Sequence, residues 1–430
     1  MTIRLNIRAD DFADGFRAFL NSKREVAVDV EAAARAIVAD VAARGDQALK
    51  EHTRKFDRFD PDAAGLRVKG GEISAALDAC GRKEVAALEL ARDRIEVFHR
   101  RQLPPDDRFE DALGVELGSR WTAIEAVGLY VPGGTAAYPS TVLMNAVPAK
   151  VAGVPRIVMV VPAPGGAVPP LVLAAAKLAG VDEIFRVGGA QAVAALAYGT
   201  ESIAPVAKIV GPGNAYVAVA KRIVFGRVGI DMIAGPSEVL VLADNTGNPD
   251  WIAADLLAQA EHDASAQAIL ITDDAALAGA VERAIDGALK RLPRGEIAAA
   301  SWQDFGAVIL VRELDEAVAL VDALAPEHLE IVAANADSLA RRIRNAGAIF
   351  IGAYTPEAIG DYVAGSNHVL PTARSARFSS GLGVLDFMKR TSLLKCGPQQ
   401  LRALADPAIA LAEAEGLDAH ARSVAIRLNR

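Results

Sequence analysis

The chain has 430 residues, 52% of them hydrophobic and 23% charged, and its formal net charge is −8. A chain of this length is too long for one ordinary core, so two or three domains are expected. The acidic excess disfavours nonspecific nucleic-acid binding, and no apolar run reaches the ~18–20 residues that cross a bilayer.

The start of the chain bears on the compartment. Its first twelve residues are polar and charged, so we expect no secretory signal. The two cysteines, Cys80 and Cys396, are far apart and fit no metal or redox spacing. A reducing compartment is the economical interpretation, and we expect a cytoplasmic protein with no membrane or nucleic-acid partner.

The first part of the chain is predicted to be helical. Apolar residues recur at three- and four-residue spacing over 30–43 and 84–101, which is typical of amphipathic helices. His52 and His99 lie in this part beside charged residues, and we interpret both as surface residues. No chemical motif occurs here, so this part is expected to serve as scaffold.

From Trp121 onward, short apolar strands alternate with helices, which predicts parallel sheets covered by helices. A division near Gly235 separates two such units. The predicted strands cover residues 157–161, 183–187, 208–210, 239–243, 268–272, 307–311, 329–332 and 348–351.

The predicted fold class is therefore α/β, with two Rossmann-like parallel-sheet domains and helical appendages at both ends. Residues 26–128 together with 237–381 are expected to form the first domain, which carries the metal and catalytic residues. Residues 129–236 form the second, which contributes to cofactor binding. Residues 1–25 are expected to be a helical segment, and 382–430 a helical appendage.

Two polar motifs lie at the ends of predicted elements. Gln259 and His262 are three residues apart near the end of a helix, so both can ligate one cation from the same face. Glu327 and His328 lie in a helix-to-strand connection before residue 329, where they offer two proton acceptors of different basicity. The alternatives are a polar helix end and a solvated loop.

Two further motifs contain Asp361 and His368, in a turn-rich segment, and Glu415 and His420, near the C-terminus. Asp361 suits a metal ligand or an N-cap, and His368 suits a substrate contact or a turn. Gly416 should break one helix, so that His420 falls in the first turn of the next, where a neutral ring is favoured. A plain surface histidine is the alternative for His420.

Together the motifs supply two nitrogen and two oxygen ligands, a set that suits Zn²⁺ or Mn²⁺. The four candidate ligands are Gln259, His262, Asp361 and His420.

Three glycine turns could receive an anion, at residues 132–135, 188–191 and 211–214. The last two follow strands and open helices, where backbone N–H groups are available. None matches the usual dinucleotide or phosphate-loop pattern, and the turns alone do not identify NAD.

Nine segments, taken in order, closely resemble the L-histidinol dehydrogenase family. Each is weak alone, but their order is specific, and the resemblance runs from about residue 121 to the C-terminus. They begin at Gly128, Gly188, Gly211, Gly235, Gln259, Pro326, Gly360, Asn367 and Glu415.

The resemblance implies the last enzyme of histidine biosynthesis, which oxidises L-histidinol to L-histidine through histidinal with two NAD. It implies that His328 is the base, that Glu327 activates water, and that zinc or manganese binds at the four ligands above and holds the substrate. Ser237, His368 and Glu415 would also contact substrate, with His328 beside it. Tyr130, Gln191 and Asn214 would contact NAD.

The resemblance further implies a homodimer in which Glu415 and His420 complete the site of the second subunit. Two alternatives remain open at this stage. One is a paralogous NAD-dependent dehydrogenase of the same fold that acts on another polar alcohol. The other is a non-catalytic metal- or ligand-binding protein, which would leave Glu327 and His328 without a purpose.

Overall fold

The fold is taken from a computed structural model, which describes residues 2–22, 28–133, 138–233 and 235–429. Within these residues the strands form three sheets. The strands are β1 (Ile3–Asn6), β2 (Asp107–Glu110), β3 (Glu116–Ala123), β4 (Val127–Tyr130), β5 (Ile157–Val160), β6 (Glu183–Phe185), β7 (Lys208–Val210), β8 (Gly229–Ile230), β9 (Glu238–Ala243), β10 (Gln267–Thr272), β11 (Ala307–Leu310), β12 (His328–Val332), β13 (Ala348–Ile351) and β14 (Met388–Lys395).

Helices cover both faces of the larger sheets. They are α1 (Phe12–Leu20), α2 (Val28–Arg44), α3 (Asp46–Asp57), α4 (Pro61–Ala64), α5 (Gly70–Ala79), α6 (Arg82–Arg100), α7 (Pro139–Val151), α8 (Pro170–Leu178), α9 (Gly189–Tyr198), α10 (Ala215–Val224), α11 (Pro249–Ala260), α12 (Ala275–Leu289), α13 (Gly295–Phe305), α14 (Leu314–Leu324), α15 (Ala336–Ala340), α16 (Glu357–Tyr362), α17 (Pro398–Ala414) and α18 (Asp418–Ala425).

One sheet has five parallel strands in the order β6-β5-β4-β7-β8. The residues of β4 and β5 are all buried, as expected for strands covered by helices on both faces. One face packs on α5–α8 and the other on α2, α3, α9 and α10. The adjacent strands β4 and β7 start the two halves of the sheet, so the loops after them border its switch point.

The second sheet has six parallel strands in the order β1-β11-β10-β9-β12-β13. Apart from β1, it repeats the order of the first sheet. Helices α1, α14 and α15 cover one face, and α11, α12 and α13 cover the other. The α/β class with two parallel sheets is therefore confirmed, and each strand predicted from the sequence is present.

The expected grouping of the N-terminal residues is wrong in two ways. Residues 1–25 are not purely helical, because β1 pairs with β11 at the edge of the six-stranded sheet. Helices α2–α6 belong with the five-stranded sheet rather than with 237–381, since the apolar stripe of α2, including Val38 and Val41, packs against α9 and α10. His99, on α6, is fully buried rather than at the surface.

The C-terminal appendage is not entirely helical either. Strand β14 pairs antiparallel with β3, and β2 completes a third, three-stranded sheet. The strand is polar and mostly exposed, so it lacks the apolar signal of a core strand. Helix α17 ends at Ala414, before Gly416, and α18 begins at Asp418, so His420 lies in its first turn as expected.

The amino edge of the six-stranded sheet faces the carboxyl edge of the five-stranded sheet. Thr141 lies in the first turn of α7, at the carboxyl edge, and its Oγ1 is 3.5 Å from Nε2 of His368. Asn367 Nδ2 donates to the carbonyl of Met144 at 2.7 Å. These contacts place the 361–368 segment between the two sheets. No helix among the described residues is long and apolar enough to cross a membrane.

Candidate active site between the two parallel sheets

Glu327 and His328 enter the site through a short connection. Helix α14 ends at Leu324, and Ala325 adopts a left-handed conformation with φ 47° before Pro326. The helix stops before Pro326 because proline disfavours helical backbone at the preceding residue. Strand β12 then begins at His328, so both side chains lie at the amino edge of the six-stranded sheet, and both are buried.

The imidazole of His328 has a defined tautomer. Its Nδ1 lies 2.9 Å from the carbonyl oxygen of Glu238, which can only accept, so Nδ1 carries the proton. Nε2 is buried, has no hydrogen-bond partner in the part of the chain that the structure describes, and is 3.8 Å from Oδ1 of Asp361. Burial, with the nearby His368 and His262, lowers the pKa of His328 to about 3, so the ring is neutral at pH 7. A lone pair is therefore available on Nε2.

The carboxylate of Glu327 is held next to this ring. Its Oε2 accepts the backbone N–H of Glu238 at 2.9 Å and lies 3.7 Å from Nδ1 of His328. Ser237, predicted to contact substrate, is partly buried and directly precedes β9, which pairs with β12. The ends of these two neighbouring strands thus bring Ser237, Glu327 and His328 to one edge.

Helix α11 brings two of the predicted metal ligands to the same edge. Asn248 caps its start, accepting from the N–H groups of Asp250 and Trp251, and the helix runs back along the sheet to Ala260. The amide nitrogen of Gln259 donates to Nδ1 of His262 at 3.2 Å. Burial lowers the pKa of His262, which favours its neutral, ligating form.

Helix α16 adds two carboxyl groups. Glu357 and Asp361 are four residues apart and share a face, and with His328 they form a group whose ligand atoms lie within 4.8 Å of one another. Burial raises the pKa of Asp361 to about 6. Burial, followed by the charge of Asp361, also raises the pKa of Glu357. Because these clustered carboxyl groups are difficult to ionise without a nearby positive charge, they are suited to binding a cation.

Sequence reasoning missed Glu357. Its spacing from Asp361 is the signal that could have identified it, because residues at i and i+4 lie together on a helix. His368, which was predicted, is in place: its Nδ1 donates to the carbonyl of Asp361 at 3.0 Å, leaving Nε2 to face Thr141.

The cluster fits a divalent metal. Three of its buried atoms have no hydrogen-bond partner within the described ranges: Oε1 of Gln259, Nε2 of His328 and Oε2 of Glu357. A buried polar atom without a partner is costly, so such a group is usually completed by a ligand or an ion. The amide oxygen of Gln259, the imidazole of His262 and the carboxylate of Asp361 are donors that Zn²⁺ and Mn²⁺ accept, which leaves Nε2 of His328 available for substrate.

The last two predicted site residues are not brought to this cluster within one chain. Glu415 and His420 lie exposed on the hairpin of α17 and α18, and among the described residues no hydrogen bond or ion pair joins either side chain to the cluster. The tail also exposes apolar side chains along its length: Leu394, Leu411, Leu417 and Ile426.

The carboxyl edge of the five-stranded sheet carries the predicted cofactor residues. Tyr130 ends β4, and its Oη accepts the N–H of Gly189 at 2.9 Å. Gln191 lies in the first turn of α9 and is buried, whereas Asn214 is exposed and caps α10 by accepting the N–H of Val217 at 3.2 Å. Burial raises the pKa of the Tyr130 phenol to about 12, so it stays protonated.

Glycine is required where the backbone closes on this edge. Gly211 has φ +109°, and a Cβ there would lie 2.2 Å from the carbonyl oxygen of Tyr130. The turn is stabilised by a buried ion pair between Lys221 and Asp231. Asp231 accepts the N–H of Gly211 at 2.7 Å, and Lys221 donates to the carbonyl of Gly211 at 3.0 Å. In the first glycine turn, Gly134 and Thr135 lie outside the described residues.

Comparison with known proteins identifies the family. A family model described as histidinol dehydrogenase matches residues 20–428. A histidinol dehydrogenase of Rhodopseudomonas palustris is 72% identical over 430 residues and is covered, like this chain, over 100% of its length. The chain belongs to the histidinol dehydrogenase family.

Other family members agree with this assignment. A histidinol dehydrogenase of Nitrobacter winogradskyi is 75% identical over 429 residues, with 100% of both chains covered. The crystal structure of histidinol dehydrogenase from Elizabethkingia anophelis is 35% identical, with a TM-score of 0.94 over 100% of this chain and 98% of that chain. The resemblance drawn from nine motifs is confirmed.

Membership of the histidinol dehydrogenase family makes the chain an oxidoreductase that acts on a small molecule. A non-catalytic binding protein, one of the alternatives left open by the sequence, is thereby excluded. The roles of the individual residues are a separate question, which the site geometry addresses.

Proposed function

We propose that this enzyme oxidises L-histidinol to L-histidine in two steps, with two NAD and one water consumed, as the final step of histidine biosynthesis. The observation that carries the proposal is the tautomer of His328. Its Nδ1–H is committed to the Glu238 carbonyl, and its bare Nε2 faces Asp361. A neutral imidazole with a free lone pair is suited to take the proton of a hydroxyl group.

The metal is assigned to Gln259, His262, Asp361 and, from the second subunit, His420. When bound, zinc or manganese would supply a positive charge that binds the imidazole and amino nitrogens of the substrate and so orients the carbinol carbon. Gln259 contributes the orphaned Oε1, and Asp361 a carboxylate whose ionised form a cation would favour. Glu357, whose Oε1 is 3.6 Å from Nδ1 of His328, lies beside them, and a bound cation would favour its ionised form.

The first oxidation requires His328 to accept the hydroxyl proton while hydride leaves the carbinol carbon. His368 and Ser237 border the same space and would contact the substrate. The second oxidation requires water to add to the aldehyde, and Glu327 is assigned to accept its proton. Glu327 is positioned for this by the N–H of Glu238.

NAD is assigned to the carboxyl edge of the five-stranded sheet. Helices α9 and α10 begin there, and helix N-termini favour the pyrophosphate. Tyr130, Gln191 and Asn214 would contact the dinucleotide. The contact of Thr141 with His368 joins this edge to the substrate site, so a nicotinamide there could reach the carbinol carbon.

The assembly is proposed to be a homodimer with a shared site. The hairpin of α17 and α18 packs mainly on itself and exposes apolar side chains, which supports its docking on a second subunit. Glu415 and His420 would then complete the neighbouring site. A cytoplasmic location also remains a prediction.

The direct test is NADH production from purified dimer with L-histidinol, before and after removal of metal by a chelator. The expected result is two NADH per histidinol, loss of activity on chelation, and recovery with Zn²⁺ or Mn²⁺. Turnover of simple diols but not of histidinol would instead favour the paralogous dehydrogenase. Activity unchanged by complete metal removal would contradict the metal assignment.

Mixed dimers test the shared site. Neither His328→Ala nor His420→Ala homodimers should be active. Hybrids of the two variants should regain activity, because one of their two sites is intact if His420 acts on the second subunit. Hybrids that stay inactive, while hybrids of either variant with wild type are active, would contradict sharing.

A further inference from the structure

A buried carboxyl group, Asp57, has no assigned part in the site. It is the last residue of α3, its exposed fraction is 8%, and its Oδ2 has no hydrogen-bond partner among the described residues. Burial raises the pKa of Asp57 to about 6, so it is substantially ionised at neutral pH. A buried acceptor that has no donor among the described residues is suited to a donor supplied by a bound ligand.

Asp57 lies at the carboxyl edge of the five-stranded sheet. At the other end of α3, the N–H of Asp46 donates to Glu201, just beyond the end of α9, at 2.8 Å. Helix α3 packs against α9, so it runs antiparallel to it and ends near the first residues of α9. Tyr130, at the end of β4, lies at the same edge, and after burial the charge of Asp57 adds to its raised pKa.

Neighbouring contacts define the same place. Phe59, two residues further on, lies so near the turn after β5 that a Cβ on Gly166 would be 2.5 Å from its ring. Asp57 is therefore beside the loops that follow β4, β5 and β6, where a dinucleotide would cross the sheet edge.

The two halves of the dinucleotide are expected at opposite faces of the five-stranded sheet. Thr141 and the catalytic histidines lie on the side of α7, which packs in the core with α5, α6 and α8. Asp57 lies on the side of α3 and α9, which pack in the opposite core together with Tyr130. The nicotinamide must be at the α7 side, so the adenosine half falls to the α3 side.

We propose that Asp57 accepts hydrogen bonds from the hydroxyl groups of the adenosine ribose and thereby selects NAD over NADP. This rests on the proposed function, which places NAD in this crevice. An acidic side chain that receives ribose hydroxyls is a general device of Rossmann-like folds, and a 2′-phosphate would be repelled by the same charge. Asp57 reaches this position from a helix outside the sheet rather than from a strand end.

The test combines changes in residue and ligand. Calorimetry on the metal-loaded dimer measures binding of ADP and 2′-deoxy-ADP, which contain only the adenosine ribose. Wild type should prefer ADP by roughly tenfold, the usual value of a hydrogen bond to a charged group. In Asp57→Ala the preference should disappear, and in the isosteric Asp57→Asn it should shrink.

Kinetics supply an independent readout. Both variants should raise KM for NAD about tenfold, improve NADP relative to NAD, and leave KM for histidinol unchanged. The control is Asp62→Asn, which removes an exposed carboxylate five residues away and should match wild type. Far-UV circular dichroism establishes that each variant is folded.

An undiminished preference for ADP in folded Asp57→Ala, or unchanged NAD and NADP kinetics, would overturn the inference while leaving the proposed function intact. Failure of wild type to reduce NAD with histidinol would instead remove the proposed function itself. The two failures are therefore distinguishable.

Discussion

The two parallel sheets have the same strand order but use opposite edges. The five-stranded sheet offers its carboxyl edge, where helices begin, and the six-stranded sheet offers its amino edge, where helices end. Helix N-termini carry partial positive charge and suit a pyrophosphate, whereas helix C-termini carry partial negative charge and suit a cation. Gln259 and His262, at the end of α11, are placed accordingly.

The two sheets show that strand order alone does not determine where a site forms. In open α/β sheets the expected place is the carboxyl edge, and only the five-stranded sheet follows that rule. The six-stranded sheet departs from it because the side chains that we propose as metal ligands and proton acceptors lie at its amino edge. One site can thus draw on both edges when the two sheets face each other.

The largest effect on turnover is expected from loss of the proposed base at the amino edge of the six-stranded sheet. His328→Ala should lower kcat by roughly 10²–10⁴, the usual contribution of general base catalysis, while zinc content stays at the wild-type value. The measurements are steady-state turnover of histidinol and metal analysis. His52→Ala, which removes a histidine paired with Asp40 away from the site, is the matched control. Wild-type turnover in His328→Ala would contradict the assignment.

A change at the other edge should act on stability. Lys221→Met leaves Asp231 buried without its cation, and breaking such a pair costs about 3–5 kcal/mol. Because the pair holds the Gly211 turn, KM for NAD should also rise. Urea unfolding and NAD kinetics provide the readouts, with Lys177→Met on the exposed side of α8 as control. If stability changed no more than in that control, the pair would not be supporting the turn.

The two oxidations should separate at Glu327. Glu327→Gln should slow oxidation of the aldehyde by about tenfold or more, and oxidation of the alcohol by less, because only the aldehyde step needs activated water. Single-turnover assays started from histidinol and from histidinal measure each step. The reverse ordering would remove Glu327 from its proposed role.

The smallest effect concerns Asp57 and pH. The pKa of its folded form is about 6, above the ordinary 3.8, so its contribution to stability is present below pH 4 and is lost as pH rises through 6. Asp57→Asn should therefore stabilise the fold at pH 7–8 by about 1–3 kcal/mol, the upper bound being about two pKa units at ~1.4 kcal/mol each. Thermal unfolding at pH 4 and pH 7.5 tests this. A gain of equal size at both values would exclude the carboxyl group as its cause.

Much of the architecture could be predicted from the sequence because the central strands are short, buried and rich in β-branched residues. Strands β1 and β14 could not, because an edge strand and an exposed strand carry little apolar signal. The N-terminal helices were assigned to the wrong sheet because periodicity gives a helix its apolar face but not its partner.

The site was predictable in a similar way. Motifs at element ends identified Glu327, His328, Gln259 and His262, and the family resemblance ordered them. Glu357 and Asp57 lie outside those motifs: the spacing of Glu357 from Asp361 could have identified it, whereas Asp57 is marked by a buried oxygen that has no hydrogen-bond partner among the described residues. His420 is exposed in a single chain, and the shared site that the family resemblance implies remains a prediction.

The most direct test of the account is anomalous diffraction at the zinc edge from crystals of the metal-loaded dimer with L-histidinol. We expect one zinc per subunit, bound by Gln259, His262 and Asp361 of one chain and by His420 of the other. Nε2 of His328 should lie next to the substrate hydroxyl. A zinc peak away from these side chains, or full ligation without His420, would contradict it.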